Sequence, residues 1–395
     1  MRIMTLEDFS ALHPSDTAFV PCSSLREAGL VVDDEWRMES ITGTTMTCLG
    51  RMPALVHRNV ATDPALDFFR LAGIEPPSEL QTYASDDEAT KLAHGLAVNG
   101  IRLATIYPQI ESIRALGACL VAPDLYGWLN DKTNLEFLCP APYLPKREIY
   151  SRTAAARLTT SSVDFPFYVK GAIAGANGSG NDVRYCSGER EFRAALEWFR
   201  DATGYQALIV EQAILFTSTW CLNFAILDEN VRWIGGAEQV FDSPGKQSGN
   251  RIDPRNPPPS RAVEVGLEIC EAAQAKGYRG IVGFDMCVDA EGGIYFFDLN
   301  FRLAACTCLI LLERALEDPS RVSLTCNNTV PGRLADVLPR LEDLARAKSF
   351  IPLRLYDGSA CALEDAPSVI TGIVRGHDRD AAQSLAKEVE SRLKG

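Results

Sequence analysis

Residues 280–302 read GIVGFDMCVDAEGGIYFFDLNFR, the most informative stretch of this sequence. Two runs rich in Ile, Val, Phe and Tyr flank residues 290–293, which predicts a β-hairpin with a four-residue loop. In that register, Asp285 lies directly opposite Asp298. Side chains alternate along a strand, so one face of the hairpin is predicted to be apolar. That face carries Val282, Phe284, Met286, Val288, Tyr295, Phe297, Leu299 and Phe301.

The other face of the hairpin carries an unusual polar cluster, with Gly283 opposite Asn300 beside Asp285 and Asp298. Two carboxylates directly opposite each other repel, and partial burial increases that cost. A hard cation offsets it, and Mg²⁺ takes carboxylate and amide oxygens together with phosphate oxygens and water. The hairpin alone leaves two interpretations open: a magnesium–nucleotide site, or the solvent-facing polar side of an edge hairpin.

The bulk composition excludes several classes of function. The 395 residues carry a net charge of −13, which disfavours binding to nucleic acid or to an anionic membrane. Neither a signal peptide nor an apolar run of membrane-spanning length is evident. The 12 cysteines include no CxxC pair and have none of the four histidines nearby, so we expect reduced thiols in a cytoplasmic protein and no zinc site. A nucleophilic cysteine is a rival source of covalent chemistry.

Residues 1–125 alternate short apolar runs with helical patterns, which predicts a smaller parallel α/β domain at the N-terminus. No G-x-G-x-x-G follows its first strand, so a dinucleotide site is not expected. Residues 126–330 form the second predicted domain, and residues 331–395 are predicted to be an α/β addition that packs on it. The proline- and glycine-rich segment 242–260 is too long for a turn, so it is interpreted as a functional or disordered loop and as a candidate for a closing lid.

Several residues before the hairpin are also typical of a nucleotide site. Lys132 follows a predicted helix start with Asn130 or Asp131 as the N-cap, and Lys170 ends the apolar run FPFYVK. A loop rich in glycine follows, and Glu211 ends the buried strand ALIVE. Glycines let backbone N–H groups approach phosphate oxygens closely. Each feature also has an ordinary structural explanation when taken alone.

In this order the set resembles the ATP-grasp superfamily, with a D-x-N-x-R motif at Asp298, Asn300 and Arg302. The resemblance covers about residues 126–330 and implies two α/β subdomains that grip ATP. It implies that Lys132 and Lys170 contact phosphates and that Arg302 lies near the transferred group, with Lys170 and Arg302 catalytic. The resemblance also implies that the phosphates are covered by Gly175, Gly178, Ser179 and Gly180, and that adenine is bound by Glu211, Gln212 and Ile214. It implies that one or two Mg²⁺ ions are bound by Asp285, Asp298 and Asn300. The implied substrate-binding residues are Arg251, Gln239 and Arg302.

The resemblance further implies a carboxylate–amine ligase that forms an amide through an acyl phosphate and releases ADP and phosphate. Its layout is similar to that of pheganomycin-type peptide ligases of specialised metabolism, with small-molecule carboxylate and amine substrates. Loading of an amino acid onto a carrier-protein thiol is an alternative, and a homodimer is compatible with the sequence. A third hypothesis is nucleotide binding without turnover, because Asp298 stands where the family usually has Glu and residues 217–219 offer no acid for the ribose.

Overall fold

A computed structural model of the protein describes residues 8, 12–21, 35–107, 109–159, 165–172, 182–202, 204–243, 246–316, 318–360 and 366–395. The predicted phosphate-binding residues Gly175, Gly178, Ser179 and Gly180 lie outside these ranges. No helix within the described residues is both long and apolar enough to cross a membrane.

The N-terminal region forms a parallel sheet, as the alternation of strands and helices predicts. Its order is β3-β2-β1-β4, and all its pairings are parallel. The strands are β1 (Thr17–Phe19), β2 (Ala54–His57), β3 (Leu80–Tyr83) and β4 (Arg102–Ala104). The helices of this region are Glu35–Ile41, Asp63–Leu71, Asp86–Val98 and Glu111–Arg114, with a 3-10 turn at Arg58–Val60.

A small antiparallel sheet follows, in the order β5-β8-β6-β7. Its strands are β5 (Arg147–Ser151), β6 (Phe167–Ala172), β7 (Val183–Cys186) and β8 (Ala207–Gln212). The amphipathic helix Glu189–Asp201 covers one face, and its Phe192 and Phe199 are buried against Phe167 and Leu208. A short helix, Arg152–Ala155, completes this subdomain.

The largest element is an eight-stranded antiparallel sheet in the order β13-β12-β9-β10-β11-β14-β16-β15. Its strands are β9 (Phe216–Ile226), β10 (Val231–Ser243), β11 (Lys246–Ile252), β12 (Gly280–Asp289), β13 (Ile294–Asn300), β14 (Val322–Val330), β15 (Phe350–Tyr356) and β16 (Ser368–Gly376). The associated helices are Pro123–Asn130, Ser260–Ala275, Thr307–Ala315, Leu334–Val337, Glu342–Arg346 and Arg379–Lys394, with 3-10 turns at Lys132–Phe137, Ala141–Tyr143, Leu338–Leu341 and Gly358–Ala360.

The helix Ser260–Ala275 packs its apolar stripe on one face of the large sheet. Gly266 makes this approach possible, because a Cβ there would lie 2.3 Å from Cζ of Phe224. The helix ends as predicted at Gly277, whose φ of +94° is a left-handed conformation that favours glycine.

The interpretation of segment 242–260 as a loop is wrong for its central part. Residues Lys246–Ile252 form strand β11, which pairs with β10 on one side and with β14 on the other. Ladder hydrogen bonds on both edges satisfy the backbone of this polar, glycine-containing segment, so its composition concealed an internal strand. It is therefore not a candidate for a closing lid.

The N-terminal sheet and the C-terminal strands share one hydrophobic core. The rings of Phe68 and Phe350 lie 6.3 Å apart in it, and Cys48 Sγ lies 3.1 Å from Cys308 Sγ. The C-terminal strands also continue the large sheet, because β14 pairs with β11 and with β16. The predicted division into domains at residues 125 and 330 stays a prediction. The large sheet continues across the second boundary, because β14 ends at residue 330 and β15 and β16 lie after it.

Candidate active site

The acidic pair lies where the hairpin register predicts it. Asp285 of β12 is opposite Asp298 of β13, and Gly283 is opposite Asn300. Glycine is required at 283, because a Cβ there would lie 2.5 Å from Cβ of Ala304. The register places the polar side chains of the two strands on one face of the large sheet. Ala304 packs against this face at Gly283 and leaves no space for a larger residue there.

The apolar face differs from the prediction before Asp298, because neither Tyr295 nor Phe297 belongs to the core cluster. A β-bulge between Asp285 and Met286 places Met286 opposite Phe296 instead of Phe297. Phe296 is consequently buried in the core with Phe284 and Leu299, whereas Phe297 is only partly buried. A bulge adds one residue to one strand and reverses the alternation beyond it, and the sequence pattern gives no sign of it.

The acidic pair is buried, and the cations near it do not fully offset its negative charge. Burial, followed by repulsion from Asp298, raises the pKa of Asp285 from 3.8 to about 7. Hydrogen bonds from Cys221 and Gln239 act in the opposite direction but do not restore the usual value. Two ionised carboxylates at this position are therefore unstable without a cation or a proton.

Lys132 supplies one positive charge to this region. Asp131 caps the 3-10 turn that begins at Lys132, accepting a hydrogen bond from the backbone N–H of Thr133 at 2.9 Å. The ammonium of Lys132 lies 2.6 Å from Oδ2 of the buried Asp182. Burial acts to lower the pKa of Lys132, but the charges of Asp298 and Asp182 outweigh it and hold that pKa above its usual value. Lys132 is therefore a cation that faces the acidic pair.

Lys170 and Glu211 form a buried ion pair between neighbouring strands of the small sheet. The distance from Nζ to Oε1 is 2.5 Å, and both side chains are less than a tenth exposed. Lys170 also donates to the carbonyl oxygen of Phe297 at 3.0 Å, which joins the small sheet to the hairpin. An ammonium has three protons, so one remains for a further acceptor. Oε2 of Glu211 accepts no hydrogen bond within the described chain.

Arg302 completes the motif after β13. Its Nη2 donates to Oδ1 of Asn300 at 2.7 Å, and its guanidinium lies 5.3 Å from the ring of Tyr107. Burial acts to lower the pKa of Arg302, but Tyr107, Tyr126 and the two acids of the hairpin raise it above its usual value. The arginine therefore lies at the junction of the hairpin with the N-terminal domain.

The two remaining substrate candidates lie on opposite faces of the sheet. Gln239 is buried and hydrogen-bonds to Asp285, so it belongs to the site. Arg251 lies opposite Glu238 and pairs with it at 2.8 Å, and Glu238 adjoins Gln239 on β10. Adjacent strand residues point to opposite faces. The register thus places Arg251 on the face away from the acidic pair, and we leave it out of the proposed site.

The segment after β8 has mixed properties as a predicted adenine site. The backbone N–H of Gln212 already donates to the carbonyl of Lys146 at 2.8 Å. Ile214 is partly buried, and the side chains that follow, Leu215 and Phe216, are 81% and 44% exposed. Two exposed apolar side chains beside a buried acid are suited to covering the face of a flat ring.

Sequence reasoning missed three residues of the site. Asp182 is the partner of Lys132, Arg147 donates to the carbonyl of Lys132 at 2.6 Å, and Tyr107 contacts Arg302. Each comes from a distant part of the chain, and no local pattern marks it. Among the described residues, no group of three or more His, Cys, Asp or Glu side chains is placed to hold a metal ion.

Solved structures with this architecture include several that contain ATP or ADP. The ADP complex of an N5-carboxyaminoimidazole ribonucleotide synthetase has a TM-score of 0.62 at 12% identity, with 98% of each chain covered. An L-amino acid ligase from Bacillus licheniformis has a TM-score of 0.53 at 12% identity, with 90% of this chain and 94% of that chain covered. The Aspergillus clavatus N5-carboxyaminoimidazole synthase with ADP and 5-aminoimidazole ribonucleotide has a TM-score of 0.56 at 13% identity, with 96% and 99% covered.

The fold is that of the ATP-grasp ligases, and the predicted fold class is confirmed. Two family models identify the family within this class of ligases. One, described as the ATP-grasp domain of L-aspartate--L-methionine ligase, matches residues 145–300, and one described as the N-terminal domain of the same ligase matches residues 8–127. The chain belongs to this family, whose enzymes are ATP-grasp amino acid ligases that form an amide bond. The predicted carbon–nitrogen ligase class is thereby confirmed.

Proposed function

We propose that this enzyme joins two amino acids, with L-aspartate and L-methionine as the first pair to test, and that it forms an acyl phosphate from ATP before the amide. The family description motivates the pair. The observation that carries the proposal is the pairing of Asp285 with Asp298 beside Lys132, since this arrangement needs added positive charge and lies next to a lysine suited to phosphate.

The donor set of the hairpin fits Mg²⁺. Two opposed carboxylates and the amide oxygen of Asn300 are hard oxygen ligands, and burial together with repulsion from Asp298 raises the pKa of Asp285, so a cation beside the pair would be stabilising. Asp285, Asp298 and Asn300 would hold one or two ions, and bound Mg²⁺ would neutralise negative charge on the nucleotide phosphates. Asn300 would share its oxygen with Arg302, which contacts it at 2.7 Å.

The cations around the hairpin would position the phosphates and the acyl group. Lys132 and Lys170 would contact the α- and β-phosphates, together with Gly175, Gly178, Ser179 and Gly180, which lie outside the described residues. Phosphoryl transfer needs positioned positive charge more than it needs a nucleophilic side chain. Arg302 would hold an oxygen of the carboxylate undergoing activation, because its forked donors match that geometry. Gln239 would orient Asp285 or the substrate from the neighbouring strand.

The nucleoside would lie against the segment after β8. Oε2 of Glu211 is buried and accepts no hydrogen bond in the described part of the chain, so it suits an exocyclic amino group. The carbonyl of Gln212 and the backbone of Ile214 would complete the contacts with the ring edge. The exposed Leu215 and Phe216 would cover its face.

The test is a reaction of the purified protein with ATP, Mg²⁺, L-aspartate and L-methionine. Formation of ADP that depends on both amino acids, together with an aspartyl–methionine product by mass spectrometry, is the expected result. Hydroxylamine should trap the acyl phosphate as a hydroxamate when only the carboxyl donor is present. Formation of AMP instead of ADP would rule out the acyl phosphate, and turnover with a panel of other amino acids alone would refute the chosen pair.

A further inference from the structure

Arg354 of β15 is a basic side chain that the site described above does not use. It lies opposite Thr371 of β16, and its guanidinium is enclosed by protein although part of its surface stays accessible. Nη1 lies 3.5 Å from Oγ1 of Thr44, and Nη2 lies 3.4 Å from Oγ1 of Thr371. Nε is buried and has no hydrogen-bond partner among the described residues. Two long contacts to neutral hydroxyls leave most of its five donors unused.

Other enclosed arginines of the chain have strong acceptors. Arg375 contacts Glu313 at 3.4 Å and donates to the carbonyl of Asp318 at 2.8 Å. Across the described ranges, by contrast, no carboxylate lies within ion-pair distance of Arg354. A buried charge without a counter-charge is costly, and proteins keep one mainly where a ligand supplies the missing charge. Burial also acts to lower the pKa of Arg354.

The place of Arg354 connects it with the active site. Tyr107 is within electrostatic reach of Arg354, and it also contacts Arg302 at 5.3 Å. Thr44 belongs to the N-terminal domain, whereas Thr371 belongs to the C-terminal strands. Arg354 therefore lies between the N-terminal domain and the C-terminal strands. Tyr107 is near both Arg354 and Arg302.

We propose that Arg354, with the hydroxyls of Thr44 and Thr371, binds the α-carboxylate of the amino acid that supplies the amine. This rests on the proposed function. An enzyme that joins two amino acids activates one carboxylate and must hold another that does not react. Arg302 lies beside the acidic pair, where activation takes place, so it is suited to the first carboxylate. Arg354 has no acid of its own, and a carboxylate would accept its forked donors and the two hydroxyl groups together.

The test uses the full-length enzyme and measures KM for L-aspartate and L-methionine separately, in the wild type and in Arg354→Gln. We expect KM for the amine-supplying amino acid to rise about 10- to 100-fold, because charge-assisted contacts to a carboxylate are lost. Hydroxamate formation from the carboxyl donor and hydroxylamine should stay within about twofold of wild type. Arg346→Gln, at an exposed arginine paired with Glu342, is the matched control and should change neither value.

A second arm changes the substrate in place of the protein. The carboxamide of the amine-supplying amino acid should react poorly with the wild-type enzyme, and Arg354→Gln should no longer distinguish the carboxamide from the acid. This loss of discrimination separates a direct contact from a general structural effect. If Arg354→Gln does not fold, Arg354→Lys keeps the charge and should show an intermediate KM.

Three results would overturn the proposal. They are unchanged KM values for both amino acids in Arg354→Gln, loss of hydroxamate formation in a folded variant, and equal use of acid and carboxamide by the wild type. These differ from failure of the proposed function, in which the wild-type enzyme itself gives neither ADP nor product.

Discussion

Replacing Asp285 with asparagine should stabilise the metal-free protein while it removes activity. The substitution keeps the shape of the side chain and removes one of two opposed carboxylates. Burial and the charge of Asp298 raise the pKa of Asp285 from 3.8 to about 7. The folded state therefore binds a proton in a range of pH where the unfolded chain has lost it. Stability from this group is fully present below about pH 4 and is lost as the pH rises through about 7.

The size of the effect follows from the pKa shift. Roughly 3 pKa units, at about 1.36 kcal/mol each, correspond to about 4 kcal/mol. This is an upper limit, because Asp285 keeps part of its surface accessible to solvent. We therefore expect Asp285→Asn to raise the free energy of unfolding by about 2–4 kcal/mol at pH 8 and by little at pH 4.

Urea unfolding in EDTA at pH 4, 6 and 8 measures this difference, with intrinsic tryptophan fluorescence as the signal. Asp228→Asn is the control, because that carboxylate is 91% exposed and its loss should have little effect at any of the three pH values. A variant that is no more stable than wild type at pH 8, or whose advantage is the same at pH 4, would refute the electrostatic account of the hairpin.

Three further outcomes follow from the same geometry. Asp298→Ala and Asn300→Ala should each lower Mg²⁺-dependent ADP formation about 100-fold or more, with unchanged far-UV circular dichroism; near wild-type rates would contradict the metal assignment. Lys170→Met should cost about 1.5–3 kcal/mol of stability because the buried Glu211 then loses its close partner and keeps Arg147, 3.9 Å away, as a counter-charge, and adding Glu211→Gln should recover much of it in a double-mutant cycle. Gly283→Val should cost about 1–3 kcal/mol by thermal unfolding, since the added carbons have no space.

The hairpin shows how far local sequence determines this fold. The loop length and the alternation of apolar residues were sufficient to predict that Asp285 faces Asp298 and that Gly283 faces Asn300. The bulge that buries Phe296 instead of Phe297 was not predictable, because it depends on how the two strands pair in three dimensions. Strand β11 was missed for a similar reason, since its partners stabilise a segment whose composition is typical of a loop.

The parts of the site that sequence did not predict are all long-range contacts. Lys132 was recognisable from its position after a cap, but its partner Asp182 lies 50 residues further along the chain. Tyr107 and Arg354 lie far apart in the sequence, and nothing in their neighbouring residues distinguishes them from ordinary strand and loop positions. The order of the motifs therefore identified the hairpin residues and the lysines as candidate site residues. The partners that shift their pKa values could be identified only from the folded structure.

The continuity of the large sheet has a consequence for cutting the chain. The match to the ATP-grasp family model ends at residue 300. Strand β11, which lies within the matched range, pairs with β14, which lies beyond it, through Arg251 with Leu324 and Ile252 with Ser323. A fragment of residues 145–300 would leave the outer edge of β11 with free N–H and C=O groups, which pair readily with other chains. Such a fragment should self-associate. A recombinant fragment that contains the ATP-grasp region should therefore extend through β16, so that β11 and β14 keep their partner strands.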